Sequence, residues 1–321
     1  MRSQDGTPPS AGRPVAAEAG NDPYPRYLAA KKGIDDRSLN QHVWETLRRE
    51  LERQTGRERM TILEIGAGIG TMLERFIERG VLAGPITYLA TDSDPRQLQA
   101  ARRYLSPWAA RCGHDLCWFA DDRCRLRTAD ADVSVVLGLS RAEDLARRAA
   151  ALGPLQLLIA HAVLDLVDFS VVLPPLLSRL GKHGLGYFTC NFDGQTRFLP
   201  EWEGEGEIIR RYHAAMELRL AGASRTGRNL LGFLQRPGLD LLAAGSSDWI
   251  VHPRHGGYAG DERFFLHAII DTVEKAVAGK RRPPAQLAVW ADGRHQQVEK
   301  GELSLLVSNL DLLIRCQDVS S

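Results

Sequence analysis

Three glycines that follow a short apolar run are well suited to binding a ligand through bare backbone. The segment reads Glu64-Ile65-Gly66-Ala67-Gly68-Ile69-Gly70. Glycine allows a sharp turn and lets the main chain approach a bound molecule where any Cβ would collide. Glu64 places a carboxylate just before the first glycine, where it can orient a cationic amino-acid group. The alternative interpretation is an ordinary turn between a strand and a helix.

Asp92, at the end of the next apolar run, supports the ligand interpretation. It stands about twenty residues after the glycines, where an acid at a strand end binds the two hydroxyls of a ribose. The Asp94-Pro95 pair is typical of a helix start, with aspartate as the N-cap and proline in the first turn. A glycine turn and a strand-end acid together predict an adenosine-type ligand at the carboxyl ends of parallel strands.

The elements that must position these residues alternate between buried strands and amphipathic helices. Short apolar runs predict strands over residues 60–65, 86–90, 133–137, 155–160 and 186–190. Such strands, separated by helical segments, indicate a mostly parallel sheet covered on both faces. Residues 105–132 break the rhythm and are interpreted as an extra hairpin. Further along, we predict helices over 207–220, 229–235 and 262–278, and strands over 241–244, 249–251 and 303–314.

The chain is predicted to form one domain preceded by a tail. Residues 1–26 hold five Pro and three Gly among small polar residues, too little apolar surface to offset the entropy of ordering them. The domain then spans 27–321, with a ligand-binding core over about 60–195 and cap insertions over about 27–55 and 200–285. In the first insertion we expect a helix from Asp36, capped by Asp35 or Asp36.

Composition excludes several classes of protein. The 321 residues carry 41 Lys and Arg against 40 Asp and Glu, so no net field draws the chain to nucleic acid or to a membrane surface. No apolar run approaches the ~20 residues of a membrane span, and the N-terminus lacks the apolar region of a signal peptide. The five Cys lack CxxC spacing. We therefore expect a cytoplasmic protein in a reducing compartment, with no metal site among these cysteines.

The sequence resembles the class I S-adenosylmethionine-dependent methyltransferases over roughly residues 60–195. The resemblance rests on the glycine segment, on Thr91-Asp92-Ser93-Asp94-Pro95, on residues 159–165 after the fourth strand, and on residues 182–186 before the fifth. It implies a Rossmann-like α/β fold with a seven-stranded, mostly parallel sheet and inserted helical caps. It also implies S-adenosyl-L-methionine as cofactor and S-adenosyl-L-homocysteine as product.

The resemblance assigns roles to individual residues. The glycines would contact the methionine portion of the cofactor, Asp92 the ribose, and His161 the cofactor wall near the methyl group. The family often has an acid after the third strand for the adenine amino group, and here Ser140 or Glu143 stands in that region. The cofactor-binding residues expected are Glu64, Gly66, Ala67, Gly68, Gly70, Asp92, Ser93, Ser140, His161 and Arg37, the last as a forked contact to a carboxylate.

Methyl transfer is an in-line displacement at a sulfonium, so a base is needed only where the acceptor must lose a proton. The candidates for that role are His161, Asp165, Asp193 and His213. Family members that methylate nucleobase amines tend to have an Asn/Asp-Pro-Pro-aromatic motif after the fourth strand, where this chain has residues 160–163 (Ala-His-Ala-Val). We therefore expect a small-molecule acceptor and no nucleic-acid or membrane partner.

Two other functions stay open. One is an NAD-dependent oxidoreductase, disfavoured by Glu64 and by Thr71, where a dinucleotide fingerprint has Gly or Ala. The other is a non-catalytic protein that keeps the methyltransferase fold and binds a partner. The oligomeric state is also open, a homodimer being one option.

Overall fold

The computed structural model describes residues 23–54, 59–279 and 283–317. The strands in chain order are β1 (Met60–Ile65), β2 (Gly84–Asp92), β3 (Asp115–Ala120), β4 (Arg123–Arg127), β5 (Ala131–Leu139), β6 (Leu155–His161), β7 (Leu180–Leu199), β8 (Leu239–Ser246), β9 (Trp249–Val251) and β10 (Ser304–Cys316). The helices are α1 (Tyr24–Ser38), α2 (Gln41–Gln54), α3 (Thr71–Glu78), α4 (Pro95–Arg111), α5 (Ala142–Arg147), α6 (Phe169–Leu177), α7 (Glu205–Arg219), α8 (Thr226–Leu234), α9 (Glu262–Ala278) and α10 (Leu287–Lys300).

The strands form one sheet in the order β3-β4-β5-β2-β1-β6-β7-β10-β8, and β9 pairs with β10. The five strands from β5 to β7 are parallel, whereas β10 runs antiparallel to β7, β8 and β9. The central strands are buried on both faces, as their continuous apolar runs predict. The expected α/β class with a mostly parallel sheet is confirmed.

The strand count exceeds the seven that the resemblance implies, but it equals the number of predicted strands once the extra hairpin is counted as two. The sheet has ten strands because the segment 115–127 forms the antiparallel β3–β4 hairpin at one edge and β9 adds a short partner to β10. The extra hairpin predicted in residues 105–132 is confirmed for 115–127, whereas 105–111 belong to α4. Strand β7 is much longer than the predicted 186–190 and runs to Leu199, so residues 191–193 also belong to it. Pairing with β10 extends this strand across polar residues that resemble a turn.

The N-terminal helix is also different from the prediction. Helix α1 begins at Tyr24, inside the predicted tail, with Pro23 at the N-cap and Pro25 in the first turn, where proline is well tolerated. The rest of that tail, up to residue 22, lies outside the described residues. The next helix starts after Asn40, whose side-chain oxygen accepts the Val43 N–H at 3.1 Å. Asn40, and not Asp35 or Asp36, is therefore the cap of α2.

A cap of helices covers the C-terminal part of β7 and the N-terminal part of β10. Residues of α1, α7, α9 and α10 share an apolar cluster with these strands and with β9. Within it, Tyr27 of α1 stacks on Phe265 of α9 at 5.6 Å between ring centroids, and Trp249 of β9 meets the edge of the same ring. This packing holds α1 beside the carboxyl ends of the parallel strands. Among the described residues, every helix is too short or too polar to cross a membrane.

Candidate functional site

The strand order reverses at β1, which lies between β2 on one side and β6 on the other. In open α/β sheets, ligands bind in the crevice outside the carboxyl ends of the strands at such a switch point. The glycine segment follows β1, Asp92 ends β2, Ser140 follows β5 and His161 ends β6. The topology thus brings four parts of the predicted site to one edge of the sheet.

The glycine loop has the backbone conformation that the sequence predicts. Gly66, Gly68 and Gly70 all have positive φ, at 67°, 56° and 86°. A Cβ on Gly66 would lie 2.5 Å from the Val163 side chain, and one on Gly68 would lie 2.9 Å from Leu28 Cδ1. Any side chain at these two positions would be strained and would meet a neighbour.

Asp92 joins the loop to the end of β2. Its Oδ2 accepts the Gly68 N–H at 2.9 Å, and its Oδ1 accepts the Asp94 N–H at 2.9 Å. The Ser140 N–H donates to the Asp92 carbonyl at 2.9 Å, so Ser140 lies beside it. Burial raises the pKa of the Asp92 carboxyl, while the backbone N–H donors oppose that shift. Next to this pair, Leu139 is 62% exposed, and Ser93 is also exposed.

Glu64 lies beneath the loop and is buried. Its Oε2 accepts a hydrogen bond from the Tyr88 hydroxyl at 2.7 Å. Burial raises the pKa of Glu64 to about 8, against the opposing effect of the Tyr88 hydrogen bond and the Arg75 charge. The side chain is therefore mostly protonated at neutral pH. The role of Glu64 in orienting a cationic group stays a prediction. For that role, the bound cation would have to favour the ionised form of the Glu64 carboxyl.

Helix α1 contributes a buried polar cluster beside His161. Lys31 Nζ lies 2.6 Å from Asp35 Oδ2, and His161 Nε2 lies 2.9 Å from the same oxygen. The second ring nitrogen, Nδ1, lies 2.8 Å from Thr189 Oγ1. A carboxylate only accepts, so Nε2 carries the proton and Nδ1 accepts from the threonine hydroxyl. Cys190 Sγ completes the cluster, 3.8 Å from Asp35 Oδ1.

The charges of this cluster follow from burial and pairing. Burial lowers the pKa of His161 to about 4, although Asp35 opposes the shift, so the imidazole is neutral at pH 7. Burial raises the pKa of Asp35, but the Lys31 ammonium and His161 outweigh it and hold that pKa well below its ordinary value. Ligand atoms of Asp35, His161 and Cys190 lie within 4.8 Å of one another, a spacing that metals also use. Here the Lys31 ammonium already neutralises the carboxylate.

Two predicted residues are held by ion pairs. Arg228 of α8 donates two hydrogen bonds to the Asp193 carboxylate of β7. Its Nε lies 2.8 Å from Oδ1, and a terminal guanidinium nitrogen lies 3.0 Å from Oδ2. The Arg37 guanidinium pairs with Glu262 on α9 at 2.5 Å and lies 3.1 Å from the Gly33 carbonyl oxygen. Both side chains therefore have structural partners, and the contacts predicted for them compete with these pairs.

His213 and Asp165 belong to the acceptor side of the prediction. His213 on α7 has Nε2 3.2 Å from Thr196 Oγ1 and its ring edge on Phe192, and burial lowers its pKa. Burial also raises the pKa of Asp165, which follows β6. Tyr212, whose pKa burial raises to about 12, is in electrostatic range of Asp165. Their catalytic roles stay predictions.

The sequence interpretation missed the partners of His161. Lys31 and Asp35 resemble a solvated pair one helical turn apart, yet both are more than nine-tenths buried. The available signal was the helical spacing of Tyr27, Lys31 and Ile34, which puts these residues on one face together with Asp35.

Comparisons with known proteins give structural likeness only. No protein-family model matches the chain, and no curated protein matches it significantly. Among solved structures, YjhP from E. coli aligns over 91% of this chain and 99% of its own, at 13% identity and a TM-score of 0.43. The plantazolicin methyltransferase BpumL with SAH aligns over 91% and 86%, at 12% identity and a TM-score of 0.40. A phosphoethanolamine N-methyltransferase 2 of Haemonchus contortus, in complex with SAH, aligns over 85% and 52%, at 11% identity and 0.39.

The strand order and the glycine loop match the doubly wound fold that the resemblance to class I methyltransferases implies.

Proposed function

We propose that this protein transfers a methyl group from S-adenosylmethionine to a small-molecule acceptor. The observation that carries the proposal is the glycine loop at the switch point, which has three positive φ values and is tied to Asp92 through the Gly68 N–H. Backbone of this kind admits a ligand close to the main chain, and the strand-end acid suits a ribose.

The residues present fit such a cofactor. The Asp92 carboxylate accepts the Gly68 and Asp94 N–H groups, and its two oxygens offer about four acceptor positions in all, so it can also bind a ribose hydroxyl. Leu139 offers an exposed apolar surface next to Ser140 for the base. The glycine loop would hold the methionine portion, under the cover of Leu28 from α1.

The cofactor supplies a methyl group activated on a sulfonium sulfur. What the chain itself supplies is positioning of the two reactants, which can contribute much of the rate in such displacements. Helix α1 places Asp35 against His161 at the end of β6, with Lys31 paired to the same carboxylate. His161 is engaged through both ring nitrogens, so we propose that it orients the wall of the site and does not act as a free base.

The experiment is a transfer assay with methyl-labelled S-adenosylmethionine and a panel of metabolite extracts. The proposal predicts label in a low-molecular-mass product, and loss of that label in the Gly68→Val variant. Binding of the cofactor without transfer in any extract would favour the non-catalytic alternative. A parallel fluorescence titration with NADH tests the oxidoreductase, for which saturable NADH binding without S-adenosylhomocysteine binding would replace the proposal.

A further inference from the structure

Two histidines on neighbouring cap helices meet head to head. His267 of α9 and His295 of α10 have their Nδ1 atoms 2.7 Å apart. Their ring centroids are 4.9 Å apart and their planes differ by 23°. Because the nitrogens are much closer than the centroids, the rings meet at their edges and not face to face. Both Nδ1 atoms therefore point into the same small volume.

The outer nitrogen of each ring lies by a carboxylate on the opposite helix. His267 Nε2 is 2.8 Å from Glu299 Oε1 on α10, and His295 Nε2 is 3.2 Å from Asp271 Oδ1 on α9. A carboxylate acceptor fixes the proton on Nε2 and leaves Nδ1 with a lone pair. Carboxylates hold metal-ligating histidines in this way, by accepting from the nitrogen that does not bind the metal.

Two lone pairs cannot face each other at 2.7 Å without a cation between them. A proton is one such cation and a metal ion is another. We propose that His267 and His295 form a binding site for a divalent transition-metal ion, for which we take Zn²⁺, with the ion in place of the shared proton. Imidazole nitrogen is a preferred ligand of zinc, nickel and copper, and water can complete the coordination.

The distances require a small adjustment only. Zn–N bonds of about 2.0–2.1 Å put two ligands of a tetrahedral ion roughly 3.3 Å apart, so the Nδ1 atoms must separate by about 0.6 Å. Both histidine side chains are a little under one-third exposed, on the surface where α9 packs against α10. They have room for that movement, and the ion can enter from solvent.

The neighbouring charges keep both carboxylates in place. Arg263 lies 3.1 Å from Glu299 Oε2, and Lys275 lies 3.3 Å from Asp271 Oδ2. Each acid therefore serves a cation with one oxygen and a histidine with the other. The site lies outside the residues assigned to methyl transfer, so it stands or falls independently of the proposed function.

The test is calorimetric titration of Zn²⁺ into the untagged 321-residue chain and its variants, with Co²⁺ absorption as a second readout. We expect one ion per chain, loss of that binding in His267→Ala and in His295→Ala, and about 10- to 100-fold weaker binding in Glu299→Gln. The matched control is His252→Ala, which removes an exposed histidine outside the cluster and leaves the affinity unchanged. Circular dichroism checks that each variant is folded. If an alanine variant fails to fold, Glu299→Gln still tests the site, because glutamine keeps the shape of the glutamate side chain.

Two results would overturn the site. One is a wild-type chain that binds no Zn²⁺ at millimolar concentration. The other is binding that survives in both alanine variants. If Cys190→Ser removes that surviving ion, the metal lies in the buried cluster of Asp35, His161 and Cys190, and not between α9 and α10.

Discussion

Replacing Glu64 by Gln should make the protein more stable at high pH and change little at low pH. Glu64 is 2% exposed and its pKa lies at about 8 in the folded chain, against about 4.5 for a free glutamate. A carboxyl whose pKa is raised by folding stabilises the protein fully below its unfolded pKa. That stability is lost as the pH rises through the folded value, because the unfolded chain ionises more readily.

The magnitude follows from these two pKa values. Between pH 5 and pH 9 the wild-type chain should lose about 4 kcal/mol relative to Glu64→Gln, since each pKa unit corresponds to 1.36 kcal/mol. The glutamine keeps an oxygen for the Tyr88 hydroxyl, so that hydrogen bond survives.

The assay is urea unfolding of both chains at pH 5, 7 and 9, from which the difference in unfolding free energy is taken at each pH. Groups other than Glu64 titrate in both chains and cancel in that difference. A difference that stays constant from pH 5 to 9 would refute the reasoning, because it would mean that Glu64 is ionised throughout.

Three further predictions concern the same edge of the sheet. As the pH falls from 6.5 to about 4, the wild-type chain should lose about 3 kcal/mol of unfolding free energy, because the pKa of His161 is lower in the folded chain than in the unfolded one. His161→Gln should remove that loss, and parallel pH profiles of unfolding free energy for the two chains would contradict it. Asp35→Asn should destabilise the chain by about 3–5 kcal/mol, because it removes the carboxylate partner of the buried Lys31 ammonium. The double change Lys31→Met with Asp35→Asn, which keeps an amide oxygen for the His161 Nε2–H, should recover most of that loss in thermal unfolding, and no recovery would argue against the pairing. Gly68→Ala should lower the unfolding free energy by about 1 kcal/mol or more, because φ is 56° at this residue and the new Cβ would meet the Leu28 side chain. Leu28→Ala should relieve part of that loss, whereas additive effects in the double variant would show that the two side chains do not touch.

Much of the sheet could be predicted because local sequence determines it. The apolar runs at β1 and β6 are buried on both faces, those at β2 and β5 bury alternate residues, and all four can be recognised without a distant partner. Asp94 caps α4 as predicted, with Oδ1 accepting the Arg96 N–H at 3.0 Å. These features depend on residues close together in the chain.

The features that were missed depend on distant partners. The extension of β7 through residues 191–199 needs β10, more than a hundred residues later, to pair with it. Asp35 and Lys31 have the composition of a solvated helix surface, and only contact with His161 on β6 explains their burial. Likewise, a salt bridge to Arg228 occupies Asp193, and nothing in the local sequence indicates it.

Binding of the cofactor product at the glycine loop and Asp92 is tested most directly by calorimetric titration of S-adenosylhomocysteine into the wild-type chain, Asp92→Ala and Asp94→Ala. We expect one molecule bound per chain, roughly 5- to 150-fold weaker binding for Asp92→Ala through loss of charged hydrogen bonds, and unchanged affinity for Asp94→Ala, which removes the helix cap and the ion pair with Arg96 but leaves the Asp92 carboxylate in place. A wild-type chain that binds none of this compound, or one whose affinity is the same with and without the Asp92 carboxylate, would contradict it.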